Sequence, residues 1–310
     1  MPRFQALAAA AAWMVFAAAP AAWAQTLPGV AAAEPNAQNG KYLYYAGGCA
    51  SCHAAPASGK CDDPKSKDDL SPVGGRCLRT DVGTFYIPNI TPDKETGIGG
   101  WSSDDFIKAM TTGTSPKGDN LYPAFPYATY QHMTRSDLLD LWAFLQTFPP
   151  VSAKAPGHDL SFPYSIRSGL SVWKGLYLHG KTFTPDPAKS PQVNRGAYLV
   201  EALGHCGECH TPRTALGGMI EAKKMSGAPN PDGKGYTPNI TPDKTGIGAW
   251  SEKDISYALQ SGFTPKGDVM GGEMAKVQQN MAQLTPEDRD AIAAYLKSIP
   301  PIDSPRPKKK

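Results

Sequence analysis

Six cysteines occur in the 310-residue chain, and four of them lie in two copies of one pattern. The copies read Cys49-Ala50-Ser51-Cys52-His53 and Cys206-Gly207-Glu208-Cys209-His210. C-x-x-C-H is the attachment site of a c-type haem. Two thiols about one helical turn apart can each add to a vinyl group of the same porphyrin. The imidazole of the next residue then lies under the iron as its proximal ligand. A structural zinc site would need two such pairs converging on one ion, and a thioredoxin-like pair would need a βαβ surround that this chain lacks. The spacing therefore predicts two covalently attached haem c groups. Cys49, Cys52, Cys206 and Cys209 would form the thioether bonds, and His53 and His210 would bind the irons.

The segments that must position these residues are themselves repeated. Tyr86-Ile87-Pro88-Asn89-Ile90-Thr91-Pro92-Asp93 returns as Tyr236-Thr237-Pro238-Asn239-Ile240-Thr241-Pro242-Asp243. Gly97-Ile98-Gly99-Gly100-Trp101-Ser102 returns as Gly246-Ile247-Gly248-Ala249-Trp250-Ser251, and Gly40-Lys41-Tyr42-Leu43 as Gly196-Ala197-Tyr198-Leu199. A period of about 150 residues is too long for a solenoid and indicates a duplicated domain. Both halves show the same helix signals. Ser102 and Ser251 cap apolar-periodic stretches that Gly113 and Gly262 close, and Thr134 and Thr285 open last helices that end before Pro149-Pro150 and Pro300-Pro301. No run of alternating residues outweighs helix. The expected fold class is all-α, with each loop-rich half completed by a buried porphyrin.

Composition narrows the function classes. The chain has 31 Gly and 30 Pro, so long stretches are loop or turn, and 19% charged residues exclude a disordered polyelectrolyte. A formal net charge of +3 gives no basis for nucleic-acid binding. Arg3, an apolar stretch over residues 6–19 and Ala22-Trp23-Ala24 read as a secretory signal cleaved after Ala24. Export to the periplasm makes a disulfide between Cys61 and Cys77 the expected state of the two remaining cysteines. The sharper alternative makes one of them a thiolate iron ligand.

Together the two C-x-x-C-H sites, the Asn-Ile-Thr-Pro-Asp repeats, Gly-Ile-Gly-x-Trp, Tyr122-Pro123-Ala124-Phe125-Pro126-Tyr127 and His205-Cys206-Gly207-Glu208-Cys209-His210-Thr211-Pro212-Arg213 resemble multihaem cytochrome c subunits. Such subunits serve periplasmic and membrane-bound alcohol, aldehyde and gluconate dehydrogenases. The likeness covers roughly residues 36–300. It implies two tandem class I cytochrome c-like domains. It also implies a dehydrogenase as electron donor, and the quinone pool, an oxidase or another cytochrome as acceptor. Some members carry a third haem and a membrane-binding C-terminal segment. This chain has two haem motifs and ends in Arg306-Pro307-Lys308-Lys309-Lys310, which weakens direct transfer of that membrane attachment and leaves peripheral association at the inner membrane as the expectation.

Electron transfer suits an iron with both axial positions filled, whereas an open position permits peroxide or oxygen chemistry. The resemblance makes Met133 the distal ligand of the first haem, with His132 as its rival and Met110 as a core residue. Met133 falls opposite Leu284 in the second half, so that ligand must come from elsewhere on its loop. Met274, in Gly271-Gly272-Glu273-Met274, matches the family's Gly-Gly-x-Met pattern, and Met281 is second choice. His158, His179 and His205 have no evident partner. The expected organisation is a signal over 1–24, a first domain over 25–150, an ordered strap over 151–193, a second domain over 194–303 and a basic tail over 304–310. No acid–base pair or nucleophile makes the chain an enzyme on its own. The opposing class is a dihaem enzyme, either a thiosulfate-oxidising cytochrome or a cytochrome c peroxidase.

Overall fold

Gly40 and Gly196, which open the repeated Gly-x-Tyr-Leu segments, sit where helices cross too closely for any side chain. A Cβ at Gly40 would lie 1.9 Å from the Asp140 carbonyl oxygen, and one at Gly196 would lie 1.9 Å from that of Ala291. The structure is a computed structural model that describes residues 34–56, 61, 71–230 and 235–307. The expected signal and the last three lysines fall outside the described residues.

In chain order the first half contributes α1 (Ala37–Ala46), α2 (Cys49–His53), β1 (Cys77–Thr80), β2 (Gly83–Tyr86), α3 (Ser103–Thr112), α4 (Tyr127–Tyr130) and α5 (Arg135–Leu145). A connecting segment adds β3 (Asp159–Leu160) and α6 (Leu170–Tyr177). The second half contributes α7 (Pro191–Tyr198), α8 (Cys206–His210), β4 (Ala228–Pro229), β5 (Tyr236–Thr237), α9 (Glu252–Ser261), α10 (Glu273–Met281) and α11 (Pro286–Ser298). A π-helical stretch, Leu199–Leu203, runs from α7 toward α8.

The capped helices form as their sequences require. Ser102 and Asp105 make a reciprocal capping box on α3, as Ser251 and Asp254 do on α9. Gly113 and Gly262 end those helices in the left-handed conformation. Helix α1 packs on α5 and α7 on α11, and their buried faces share one apolar core that includes Leu43, Leu141, Leu145, Leu199, Ile292 and Leu296.

Small sheets accompany the helices. β1 and β2 pair antiparallel from Cys77–Tyr86 to Thr80–Gly83, and β3 adds to β2. β4 and β5 form the second sheet. None of these strands exceeds four residues, too short for alternation to register in the sequence. Cys61 and Cys77 are joined in a disulfide with Cα atoms 5.1 Å apart, as their even count suggested. Helix α6 lacked a sequence signal because none of its residues is buried. Side-chain bonds hold it between the halves: Lys174 Nζ donates to the Gly113 carbonyl (2.6 Å), Trp173 Nε1 to the Leu216 carbonyl (3.0 Å), and Tyr177 shares a bond with Thr214 (2.9 Å).

A reciprocal contact ties the halves together. The Tyr42 hydroxyl donates to Asp288 Oδ2 (2.5 Å) and accepts from the Thr285 N–H (3.2 Å), at the start of α11. Its repeat mate Tyr198 donates to Asp137 and accepts from the Thr134 N–H (3.2 Å), at the start of α5. Arg195 reaches Asp288 through Nε (2.8 Å) and Nη2 (2.7 Å). Burial pushes the Asp288 carboxyl up, but the bonds from Arg195 and Tyr42 outweigh it and hold the group below the usual carboxylate value. A depressed carboxylate contributes its full stability above the ordinary value and loses it as pH falls through the lowered one. Tyr42→Phe and Tyr198→Phe should each lower the unfolding free energy by about 1.5–3 kcal/mol, as expected for a hydrogen bond to a charged group. Denaturant unfolding of the holoprotein measures this, and Asp288→Asn should flatten the acid limb of its stability–pH curve.

Candidate haem sites

Helices α2 and α8 are single turns entered through a left-handed residue, Gly48 (φ 70°) in the first half and His205 (φ 42°) in the second. The turn sets Cys49 and Cys206 half-buried against the core and leaves Cys52 and Cys209 exposed; all four thiols are free of disulfides. Burial pushes the Cys49 and Cys206 thiols up to about 12. Neither pair therefore offers the low-pKa thiolate of a redox dithiol or catalytic cysteine.

The imidazoles are held from behind. His53 Nδ1 lies 2.9 Å from the Pro88 carbonyl oxygen, and His210 Nδ1 lies 2.7 Å from that of Pro238. A carbonyl only accepts, so Nδ1 bears the proton and Nε2 keeps its lone pair for a metal. Burial pushes His53 down to about 4 and lowers His210 as well, which keeps both rings in the neutral, ligating form at neutral pH.

This geometry explains the Pro-Asn-Ile-Thr repeat. Asn89 and Thr91 are buried, and the Asn89 side chain accepts from the Thr91 N–H (2.9 Å) while donating to the Val151 carbonyl (2.7 Å). The Val151 N–H donates to Thr91 Oγ1 (3.2 Å). In the second half Asn239 accepts from the Thr241 N–H (2.8 Å) and donates to the Ile302 carbonyl (2.8 Å), and the Ile302 N–H donates to Thr241 (3.1 Å). Each loop that presents a proline carbonyl to an imidazole is thus clamped to the chain just past the last helix of its own half.

The surroundings fit a flat group with acidic edges. Arg76 is 5% exposed; its Nη1 donates to the Ser51 carbonyl, and its Nε has no partner among the described residues. A buried cation beside an attachment turn suits porphyrin carboxylates. A Cβ placed on Gly271 or Gly272 would meet no atom within 4 Å, leaving open space before Met274.

Met133 is 1% exposed between α4 and α5. Met274 is half-buried in the first turn of α10 and packs against the core, so the expected loop is a helix here. Met281 is 4% exposed at the end of α10, at the position that Tyr130 holds in the first half. His132 Nδ1 is occupied by the Lys181 carbonyl (2.5 Å). Two of the histidines without an evident partner have one. His158 accepts from the Tyr86 N–H (3.1 Å) and packs edge-on to Phe85 and Tyr122; His205 packs edge-on to Tyr130, with ring centroids 5.8 Å apart. His179 is exposed.

The third residue of each motif reaches the opposite half. Asn280 Nδ2 donates to Ser51 (2.6 Å), and Thr129 donates to Glu208 (2.7 Å), which also pairs with Arg213 (2.5 Å). Sequence reasoning missed Pro88, Pro238, Arg76 and Tyr130. The two prolines had a signal, since both recur in the repeat beside residues that were quoted only as a motif.

With the attachment turns and bare imidazole nitrogens established, comparison with known proteins is decisive. The sequence profile of the cytochrome c family matches residues 37–149 and 193–300. The chain belongs to the cytochrome c family. It is 48% identical over 267 residues to a dihaem c-type cytochrome of Cereibacter sphaeroides, covering 86% of this chain and 87% of the relative. It is 36% identical over 269 residues to the fructose dehydrogenase cytochrome subunit of Gluconobacter japonicus, and 37% over 271 residues to the gluconate 2-dehydrogenase cytochrome c subunit of Pantoea cypripedii. Those two alignments cover 86% and 84% of this chain but only 53% and 59% of the relatives. The chain thus spans little more than half the length of these dehydrogenase subunits.

Two covalent haem c groups are the cofactors of this cytochrome. Bound haem supplies one-electron redox chemistry. Cys49, Cys52, Cys206 and Cys209 would attach it, and His53 and His210, neutral and held through Nδ1, would face its irons. Cys52→Ser or Cys209→Ser should weaken or abolish one attachment and spare the other. Intact mass should show two haems on the unaltered protein and a one-haem species in each variant.

Proposed function

We propose that this cytochrome takes single electrons from a partner dehydrogenase in the periplasm and delivers them to a respiratory acceptor. The acceptor classes are the quinone pool, an oxidase or a further cytochrome. The observation that carries this reading is the matched pair of proximal sites, each with a neutral, back-bonded imidazole. The names of the fructose and gluconate dehydrogenase relatives support the choice of donor. We read residues 25–150 and 194–303 as the two haem-binding domains, with 151–193 as the strap between them and residues 1–24 as the export signal. No helix among the described residues is long and apolar enough to cross a membrane.

Met133 and Met274 are the distal ligands in this reading. Burial supports Met133, and the first-turn position of Met274 behind two unobstructed glycines supports the second assignment. The position of Met281, which matches Tyr130 of the first half rather than Met133, favours packing for it. Met274→Ala should abolish about half of the weak methionine–iron charge-transfer absorption and lower the potential of one haem, because thioether ligation raises it. Met281→Ala should leave that absorption intact; the reverse outcome transfers the assignment to Met281.

The sulfur-oxidising alternative required Cys61 or Cys77 at an iron, and their disulfide leaves neither thiol free. Ferric holoprotein mixed with a purified fructose, gluconate or alcohol dehydrogenase and its substrate should become reduced by two electrons per chain. The protein alone should turn over neither hydrogen peroxide nor thiosulfate; turnover of either would replace electron carriage with catalysis.

A further inference from the structure

The carbonyl of the third residue in each C-x-x-C-H turn accepts a bond from an arginine, and the two arginines come from unrelated places in the chain. In the first half Arg76 Nη1 donates to the Ser51 carbonyl. In the second half Arg213 Nη2 donates to the Glu208 carbonyl (2.8 Å). Their charges are settled differently. Arg213 is exposed and pairs with the Glu208 carboxylate (2.5 Å). Arg76 is 5% exposed, enters none of the ion pairs among the described residues, and leaves its Nε–H without a partner there.

Arg76 is built into its place. Its carbonyl accepts from the Ile87 N–H (2.8 Å), one residue before the Pro88 carbonyl that holds His53. The Gly74 N–H donates to the His53 carbonyl (2.7 Å), and Cys77 is fixed by its disulfide to Cys61. A guanidinium stays protonated in a protein, so burying it with no anion beside it is costly. The other buried arginine, Arg289, places its charge within the chain. It donates to the Leu284 carbonyl just past the C-terminus of α10, the end of a helix that favours a cation. Arg76 instead keeps its Nε edge open, and Nε with the adjacent Nη2 is an edge that grips a carboxylate through two parallel bonds.

We propose that the Nε edge of Arg76 grips a carboxylate of the first haem, and that its positive charge raises the potential of that haem and not of the second. The proposal rests on the electron-carrier reading, in which the potential of each haem decides what it exchanges electrons with. Reduction adds one electron to the ferric iron and lowers its charge by one. A nearby cation that no protein carboxylate cancels therefore favours the ferrous form.

The second turn lacks this charge. There the Gly227 N–H donates to the His210 carbonyl (2.7 Å), as Gly74 does to His53, and the residue two positions on is Pro229 where the first half has Arg76. Glu208 cancels Arg213, and Lys224 is bonded to Glu201. Nor does another group replace Arg76 at the first turn. Ser51 Oγ reaches the Lys276 carbonyl on α10 (3.4 Å), but the Lys276 ammonium pairs with Glu273 (2.6 Å) and adds no net charge.

The test is spectroelectrochemical titration of the dihaem holoprotein with Arg76→Gln and Arg76→Lys. Arg76→Gln keeps a hydrogen-bond donor and removes the charge. It should lower the equilibrium constant for reduction of one haem several-fold and leave the other unchanged. The same shift should appear in a Cys209→Ser background, which carries the first haem, and be absent from a Cys52→Ser background, which carries the second. Arg76→Lys keeps the charge without the fork and should hold most of the potential. In the Cys209→Ser background both substitutions should shift the propionate-bending bands of the resonance Raman spectrum, which report hydrogen bonding to the haem carboxylates. Potentials that are both unchanged or both lowered alike in Arg76→Gln overturn the proposal, and so does an Arg76→Lys potential that falls as far as that of Arg76→Gln. If Arg76→Gln does not load the first haem, Arg76→Lys decides: a shifted propionate band with the potential retained supports the proposal, and any other result overturns it. Failure of every dehydrogenase tested to reduce the unaltered protein would instead overturn the electron-carrier reading and leave these shifts as they are.

Discussion

The hydrogen bond from the imidazoles of His53 and His210 to a proline carbonyl is the contact on which the rest of each half depends. It sets the tautomer and the plane of the ring, but only if the carbonyl is itself immobile. Pro88 is immobile because Asn89 and Thr91 are buried and bonded to Val151. Val151 follows α5, α5 crosses α1 at Gly40, and α1 leads into the turn that carries Cys49 and His53. The circuit closes on itself. The second half closes the same circuit through Pro238, Asn239, Ile302, α11, Gly196 and α7. A small, loop-rich domain can fix an imidazole in place because the loop that presents the proline carbonyl is bonded into this ring of contacts.

What the sequence made legible follows the range of the interactions. The candidate attachment cysteines and histidines of the two C-x-x-C-H turns and the capped helices α3, α5, α9 and α11 are local signals, readable within five or so residues. Gly40 and Gly196 were visible as repeated residues, but their reason is a backbone more than 90 positions away along the chain. The strands were too short to show a period. Helix α6 buries no residue, and α10 begins after two glycines that normally argue for loop. Both missed helices are set by what they touch, Gly113 and Leu216 for α6 and Ser51 for α10, rather than by their own periodicity.

Reciprocity between the halves belongs to the same class of long-range information. Tyr42 and Tyr198 occupy one repeat position, and each inserts its hydroxyl into the first turn of the other half's last helix. The acceptors Asp137 and Asp288 are first-turn acids whose backbone N–H groups Thr134 and Thr285 cap, so their side-chain partners could not be inferred locally. The result is an interface with the two-fold logic of a homodimer, made within a single chain.

A single chain also escapes the constraint that such symmetry imposes. In a true homodimer the residue at each interface position would be the same on both sides. Near the axis that rule fails chemically. Two glycines at the positions of Gly48 and His205 would leave a gap between the haem turns. Two histidines would each need the space beside the other's backbone, which the 3.2 Å approach of Gly48 to His205 already fills. Ser51 and Glu208 differ in the same way, as do their partners Asn280 and Thr129, so one contact is neutral and the other carries a carboxylate held by Arg213. Fusion of the halves therefore makes the two haem sites inequivalent where they meet while the circuit around each iron stays the same.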